Sequence, residues 1–119
     1  MKLTGSPLLL ATCLVVANTA SAFASDWLHG TYVNEDKDQF IHEVLFCEDG
    51  KALARIERRT YAINVRDGKR YVEFYWNGAF SFEVSKDEQK LLPADDFTRE
   101  WFTATALTRD PARTETCDW

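Results

Sequence analysis

Two histidines, three cysteines and nineteen carboxylates are the side chains in this 119-residue sequence that combine acid–base, nucleophilic or metal-binding chemistry. Their spacing decides how much of that chemistry is available. His42 shares alternation parity with apolar Phe40, Val44 and Phe46, which makes it either a hydrogen-bonded interior histidine or a polar group lining a pocket. His29 falls in a turn. Neither belongs to a nucleophile or metal motif, and two distant cysteines, Cys47 and Cys117, supply too few ligands for zinc. Glu43, Glu73 and Glu83 share the parity opposite the apolar residues, which reads as surface charge rather than a facing acid–base pair. Asp95-Asp96-Phe97-Thr98-Arg99-Glu100, between Pro93 and Trp101, offers carboxylates for calcium but lacks a calcium-loop spacing. A short turn capped by Asp95 or Asp96 is expected there. No catalytic residue, metal ligand or cofactor is assigned.

What remains is chemistry of location and surface. Lys2, the apolar run Leu8 to Ala17 and the small residues Ala20-Ser21-Ala22-Phe23-Ala24 form an export signal, with cleavage after Ala24 or after Ala22. Leu10-Ala11-Thr12-Cys13 resembles a bacterial lipobox, but Thr12 and the apolar residues that follow favour the later cleavage. Residues 1–24 are therefore read as a signal and 25–119 as one domain, periplasmic or secreted, with no transmembrane segment. Export leaves Cys47 and Cys117 as an even pair in an oxidising compartment, so a single disulfide is expected.

The formal net charge of −5 argues against a nucleic-acid partner. Lys51 to Arg70 nonetheless carries seven basic residues against Glu57 and Asp67. Such a segment faces either an anionic partner or the carboxylates of neighbouring strands.

Gly punctuation at Glu48-Asp49-Gly50, Arg66-Asp67-Gly68 and Trp76-Asn77-Gly78, with alternating apolar residues between, has the rhythm of successive β-hairpins. Strands are predicted near 27–34, 39–47, 51–57, 60–66, 70–76, 79–85, 89–93 and 100–108, with no helix after the signal. Register tests the loops, because opposed residues share a face. A two-residue Asp67-Gly68 turn sets Ile63 against Val72 and Tyr61 against Phe74. A three-residue Trp76-Asn77-Gly78 loop, with glycine left-handed, sets Phe74 against Phe80 and Val72 against Phe82. The same logic at Glu48-Asp49-Gly50 sets Phe46 against Ala52, Val44 against Ala54, His42 against Ile56 and Glu43 against Arg55. The fold class is thus all-β, a small antiparallel meander barrel or strongly curled sheet of about eight strands. Its predicted interior is Tyr32, Phe40, Val44, Phe46, Ile56, Tyr61, Ile63, Val72, Phe74, Phe80, Phe82, Val84, Phe102, Ala104 and Ala106.

Trp27-Leu28-His29-Gly30-Thr31-Tyr32 resembles the Gly-x-Trp opening of small bacterial lipocalin-like barrels, with Tyr32 at the Trp position. Arg109 stands near where that family has a basic residue covering the opening aromatic. The resemblance implies a binding barrel and names no ligand. A second resemblance, to periplasmic C-type lysozyme inhibitors, is carried by Cys47, Cys117, Gly68-Lys69-Arg70-Tyr71 and Trp76-Asn77-Gly78. Asp67 stands at that family's serine and the second motif lacks its lysine, so no inhibitory contact is transferred.

The expected function is an exported non-catalytic binding module, an inhibitor or immunity-type protein engaging an envelope protein. The alternative is a lipocalin-like carrier of a small apolar ligand. Arg55, Arg70, Tyr71, Tyr75 and Trp101 are the predicted partner-binding residues, because Tyr71, Tyr75 and Trp101 fall on the non-core parity beside basic side chains.

Overall fold

The structure, a computed structural model, describes residues 26–119; the export signal read in residues 1–24 lies outside them. Eight antiparallel strands close a barrel in chain order. They are β1 Gly30–Asn34, β2 Glu43–Phe46, β3 Lys51–Ala54, β4 Glu57–Arg66, β5 Lys69–Tyr75, β6 Ala79–Val84, β7 Lys90–Pro93 and β8 Leu107–Arg109. Pairing of β1 with β8, Tyr32 opposite Arg109 and Asn34 opposite Leu107, completes the circle and leaves no sheet edge. One helix, α1 (Asp96–Trp101), interrupts the β7–β8 connection. Because the strands alternate in direction, the connections sort to two ends. Those after β1, β3, β5 and β7 lie at what we call the upper end, and those after β2, β4 and β6 at the lower end with residues 26–29.

Hairpin registers follow the turn chemistry. Asp67 and Gly68 both have positive φ (53° and 76°), the sign pattern of a type I′ turn whose twist suits antiparallel strands. Ile63 therefore faces Val72 and Tyr61 faces Phe74. The three-residue loop after β5 sets Phe74 opposite Phe80 and Val72 opposite Phe82. Asn77 rather than Gly78 takes the left-handed position there (φ 53°), while Gly78 lies at φ 145°. Phe46 faces Ala52 and Val44 faces Ala54, so a small residue sits across from each larger one.

Three expectations are corrected. The chain reverses at Arg55-Ile56, with Ala54 facing Glu57, rather than after residue 57. The pairs His42–Ile56 and Glu43–Arg55 consequently do not form, and Ile56 is 93% exposed at the turn. No Gly, Asn, Asp or Pro marks that turn, and Arg55 itself takes φ 61°. Second, β2 begins at Glu43, so alternation has no meaning at residues 39–42. Phe40 points outward, Ile41 is buried in its place, and His42 is exposed rather than interior. Third, the segment predicted as a strand over 100–108 is α1 followed by a short β8. Asp95 accepts the Thr98 backbone N–H at 2.8 Å as N-cap. Helical spacing then sends Thr98 and Phe102 inward and Phe97 and Trp101 outward, and Ala104 is exposed in the connection beyond.

Edge-to-face aromatic rings fill the barrel axis. Phe46 meets Tyr32, Tyr61 and Phe74 at centroid distances of 5.2–6.1 Å. Phe102 descends from α1 onto Phe74, Phe80 and Phe82 at 5.0–5.5 Å. Each buried ring contributes roughly 2–3 kcal/mol through apolar area, with a further increment from ring geometry. Residues 110–119 cross the outer face of β1–β3, where the Asp110 backbone N–H donates to Thr31 O at 2.9 Å and Arg113 pairs with Glu43 at 2.9 Å. The Cys47–Cys117 disulfide, Cα atoms 5.9 Å apart, fixes this tail.

Candidate binding surface

The two ends of the barrel are built differently. At the lower end, Arg109 donates from Nη1 to the His29 carbonyl at 2.8 Å and from Nη2 to the Trp27 carbonyl and the Tyr32 hydroxyl. Its guanidinium carbon lies 4.8 Å from the Tyr32 ring centroid. Burial pushes the Tyr32 phenol up to about 12, and the neighbouring Arg109 charge only partly opposes that rise. Arg70 lies 4.0 Å from the Trp27 ring centroid and donates to Glu88 at 2.5 Å. These groups consume one another's charge and hydrogen bonds and close their side of the lower end, beside a cavity of about 230 Å³ lined by His29, Phe46, Cys47, Glu48, Lys51 and Cys117.

At the upper end the largest exposed apolar side chains gather. Phe40 and Ile56 sit on the β1–β2 and β3–β4 connections, Tyr75 at the end of β5, and Phe97 and Trp101 on α1. Phe40, Ile41, Trp76, Phe80, Phe97 and Trp101 line a groove of about 430 Å³. Singly exposed apolar residues are ordinary, whereas several gathered at one end make that end the candidate binding surface.

Buried hydrogen bonds hold the loops that carry these rings. Asn34 donates through Nδ2 to the Ile41 carbonyl and to Thr103 Oγ1, both at 3.0 Å, and accepts from Thr105 Oγ1 at 2.7 Å. That network ties the Phe40 loop to the β7–β8 connection. Thr98, fully buried, accepts the Ser81 N–H at 2.8 Å and locks α1 onto β6. Phe97 then stacks on Phe80 at 5.0 Å with planes 13° apart. Loops tied down in this way have little conformational freedom left to lose.

The predicted site residues divide between the ends. Arg55, Tyr75 and Trp101 are at the upper end, where Arg55 lies 4.4 Å from the Phe40 ring centroid. Arg70 and Tyr71 sit at the lower part of β5. Arg70 shares the inward parity of Val72 and is taken up at the lower end by Glu88 and Trp27. Tyr71 points outward but is half-buried under Arg66, 4.1 Å from its ring centroid. The five therefore do not share one face, since β5 is long enough to carry its two ends to opposite rims. Phe40, Ile56, Trp76 and Phe97 escaped the sequence reading. The first two lie in connections where period-two parity fails, and Phe97 becomes visible only with the i, i+4 spacing of Phe97 and Trp101 read as helix.

Of the carboxylates read as surface charge, Glu73 reaches along β4 to Arg66 and Glu83 reaches its diagonal neighbour Lys69, both at 3.8 Å. Asp95 is committed to its cap and Asp96 to Arg99 at 2.9 Å. Among the described residues no three His, Cys, Asp or Glu side chains converge to hold a metal ion, and no helix is long and apolar enough to cross a membrane. Comparison with protein-family models, curated proteins and solved structures gives no match. An eight-stranded up-and-down barrel serves unrelated functions, so the fold by itself assigns neither a family nor a ligand.

Proposed function

We propose that this protein is an exported, non-catalytic binding module that engages an envelope protein through its upper end, in the manner of an inhibitor or immunity protein. The observation that carries this reading is the gathering of Phe40, Ile56, Tyr75, Phe97 and Trp101 at one end of the barrel. Aromatic anchors with nearby arginine are the residues that dominate protein interfaces. Arg55 over Phe40 adds a charged group beside the groove.

The groove also supports a second reading. Its volume is within the roughly 300–1,000 Å³ of small-molecule sites. Aromatic rings occupy the barrel axis, so a carried apolar molecule would sit at the mouth rather than deep inside. Affinity capture from an envelope extract with the oxidised protein separates the two. A protein retained by wild type and lost with Phe40→Ala/Trp101→Ala, but kept by Arg70→Gln, supports the module. A small molecule in native mass spectra, with no protein retained, supports the carrier. Equal capture by all variants would refute an upper-end site.

A further inference from the structure

We propose that the aromatic groove at the upper end docks a second copy of this chain, in a symmetric pair that covers the groove on both molecules. The inference rests on the reading of the upper end as the binding surface and adds its regulation, because a second copy and an envelope protein compete for the same rings. Barrel order sets the geometry. Around the upper rim the connections follow as β1–β2, β3–β4, β5–β6 and β7–β8, so the Arg55-Ile56 turn stands diagonally across from the connection that carries α1. Arg55 stacks on Phe40 at 4.4 Å and Arg59 on Trp76 at 4.8 Å, so guanidinium groups border two rings of the groove. Its other exposed rings, Phe97 and Trp101, project from α1.

The two opposed flanks carry opposite charge. Arg55, Arg58 and Arg59 outnumber Glu57 at the β3–β4 turn, and Asp95, Asp96 and Glu100 outnumber Arg99 around α1. Of the two connections between them, Trp76-Asn77-Gly78 is uncharged and Asp36-Lys37-Asp38 is mixed. Arg59 is paired with Glu57 and Asp96 with Arg99, whereas Arg55 and Glu100, both exposed, make no ion pair among the described residues. A basic flank, an aromatic centre and an acidic flank form a self-complementary surface. A two-fold axis through the groove lays the Arg55 flank of each molecule on α1 of the other and joins unlike charges twice. A partner charged with one sign throughout would instead meet repulsion on one of the flanks.

Area decides how tight such a pair is. Phe40, Tyr75, Phe97 and Trp101 are 66, 42, 44 and 68% exposed, which at roughly 200 Å² for a whole aromatic side chain leaves on the order of 400 Å² of ring per molecule in water. Stable complexes bury about 800 Å² per partner, so the rings supply about half and the charged flanks must supply the rest. The pair therefore belongs to the weak, exchanging class, which a better-fitting partner displaces. Trp101 is the ring placed to cross the axis. It is the most exposed ring at this end, and the groove it would enter on the other molecule, about 430 Å³, has room for an indole.

Sedimentation velocity of the oxidised protein over a wide concentration range should show a reversible monomer–dimer equilibrium. Arg55→Glu and Glu100→Arg should each weaken the dimer at least tenfold, since each sets like charges together on both sides of the axis. An equimolar mixture of the two variants should restore it, because each then carries the charge that the other lacks; chains that had merely misfolded would not recover. Arg70→Gln, at the lower end, should leave the equilibrium unchanged. A wild type that stays monomeric, single variants that pair as wild type does, or a mixture that fails to pair would overturn the proposal. A monomeric wild type that still captures an envelope protein through Phe40 and Trp101 would overturn the dimer and leave the reading of the upper end standing.

Discussion

Arg55 is held in a conformation that its side chain disfavours. Its φ of 61° is a left-handed angle usually given to Gly or Asn, and the substituent on Cα costs about 1 kcal/mol there. Against this stands the stacking of its guanidinium on Phe40, worth roughly 0.5–1 kcal/mol at an exposed position. Arg55→Gly is therefore expected to leave stability within about 1 kcal/mol of wild type in urea unfolding, while capture of the partner weakens several-fold. A loss above about 2 kcal/mol would assign Arg55 to folding instead. Tyr32 gives a pH test of the opposite end. Its phenol is raised to about 12, above the ordinary 10, so the unfolded chain releases this proton before the folded one does. Stability from this group is constant below pH 10 and falls between pH 10 and 12, by on the order of 2 kcal/mol. Tyr32→Phe should remove that decline in alkaline unfolding curves; an unchanged decline would contradict the buried-phenol account. Arg109 was placed near Tyr32 by resemblance, and the ladder pairs them. The burial of Ile41 in place of Phe40 was not readable, because no periodicity extends into a loop.

Turns were the most legible elements and also the least reliable ones. Where Asp-Gly or Asn-Gly supplies residues tolerant of positive φ, loop length and register could be inferred from which faces became apolar. Where Arg55-Ile56 does the same work without such residues, two strand ends were misplaced. Gly78 makes the difference testable. At φ 145° an added Cβ would lie 3.3 Å from the Phe97 ring. Gly78→Val should destabilise by about 1–2 kcal/mol and disturb the Phe97–Phe80 stack. Near-ultraviolet circular dichroism reads the second effect; an unaltered aromatic band with unaltered stability would remove the strain argument. The six residues of α1 were hidden for a physical reason: so short a helix owes little to propensity and much to its cap and to the burial of Thr98 and Phe102. Asp95→Ala should accordingly cost about 1 kcal/mol and weaken capture through Trp101, measured in the same two assays.

For the whole molecule, closure and the staple were legible because both are global constraints. Eight apolar-faced strands avoid edges by closing, and two cysteines allow one connectivity. The tail's path across the outer face was not, since nothing in residues 110–119 signals which strands they cover. Joining positions 70 apart stabilises by roughly 4 kcal/mol in the chain-entropy model. Cys47→Ala/Cys117→Ala should lose about that much in denaturant unfolding; a loss below about 1 kcal/mol would mean that the tail is held by its other contacts. The two ends differ in chemistry: polar and charged groups bonded to one another at the lower end, exposed aromatic side chains at the upper. The proposed upper-end site is tested most directly by placing a photo-crosslinking amino acid at single positions of the protein in living cells. Position 101 or 40 should give a discrete adduct with an envelope protein, and position 66 or 71 none. Adducts from 66 and 71, with silence at 40 and 101, would contradict the account.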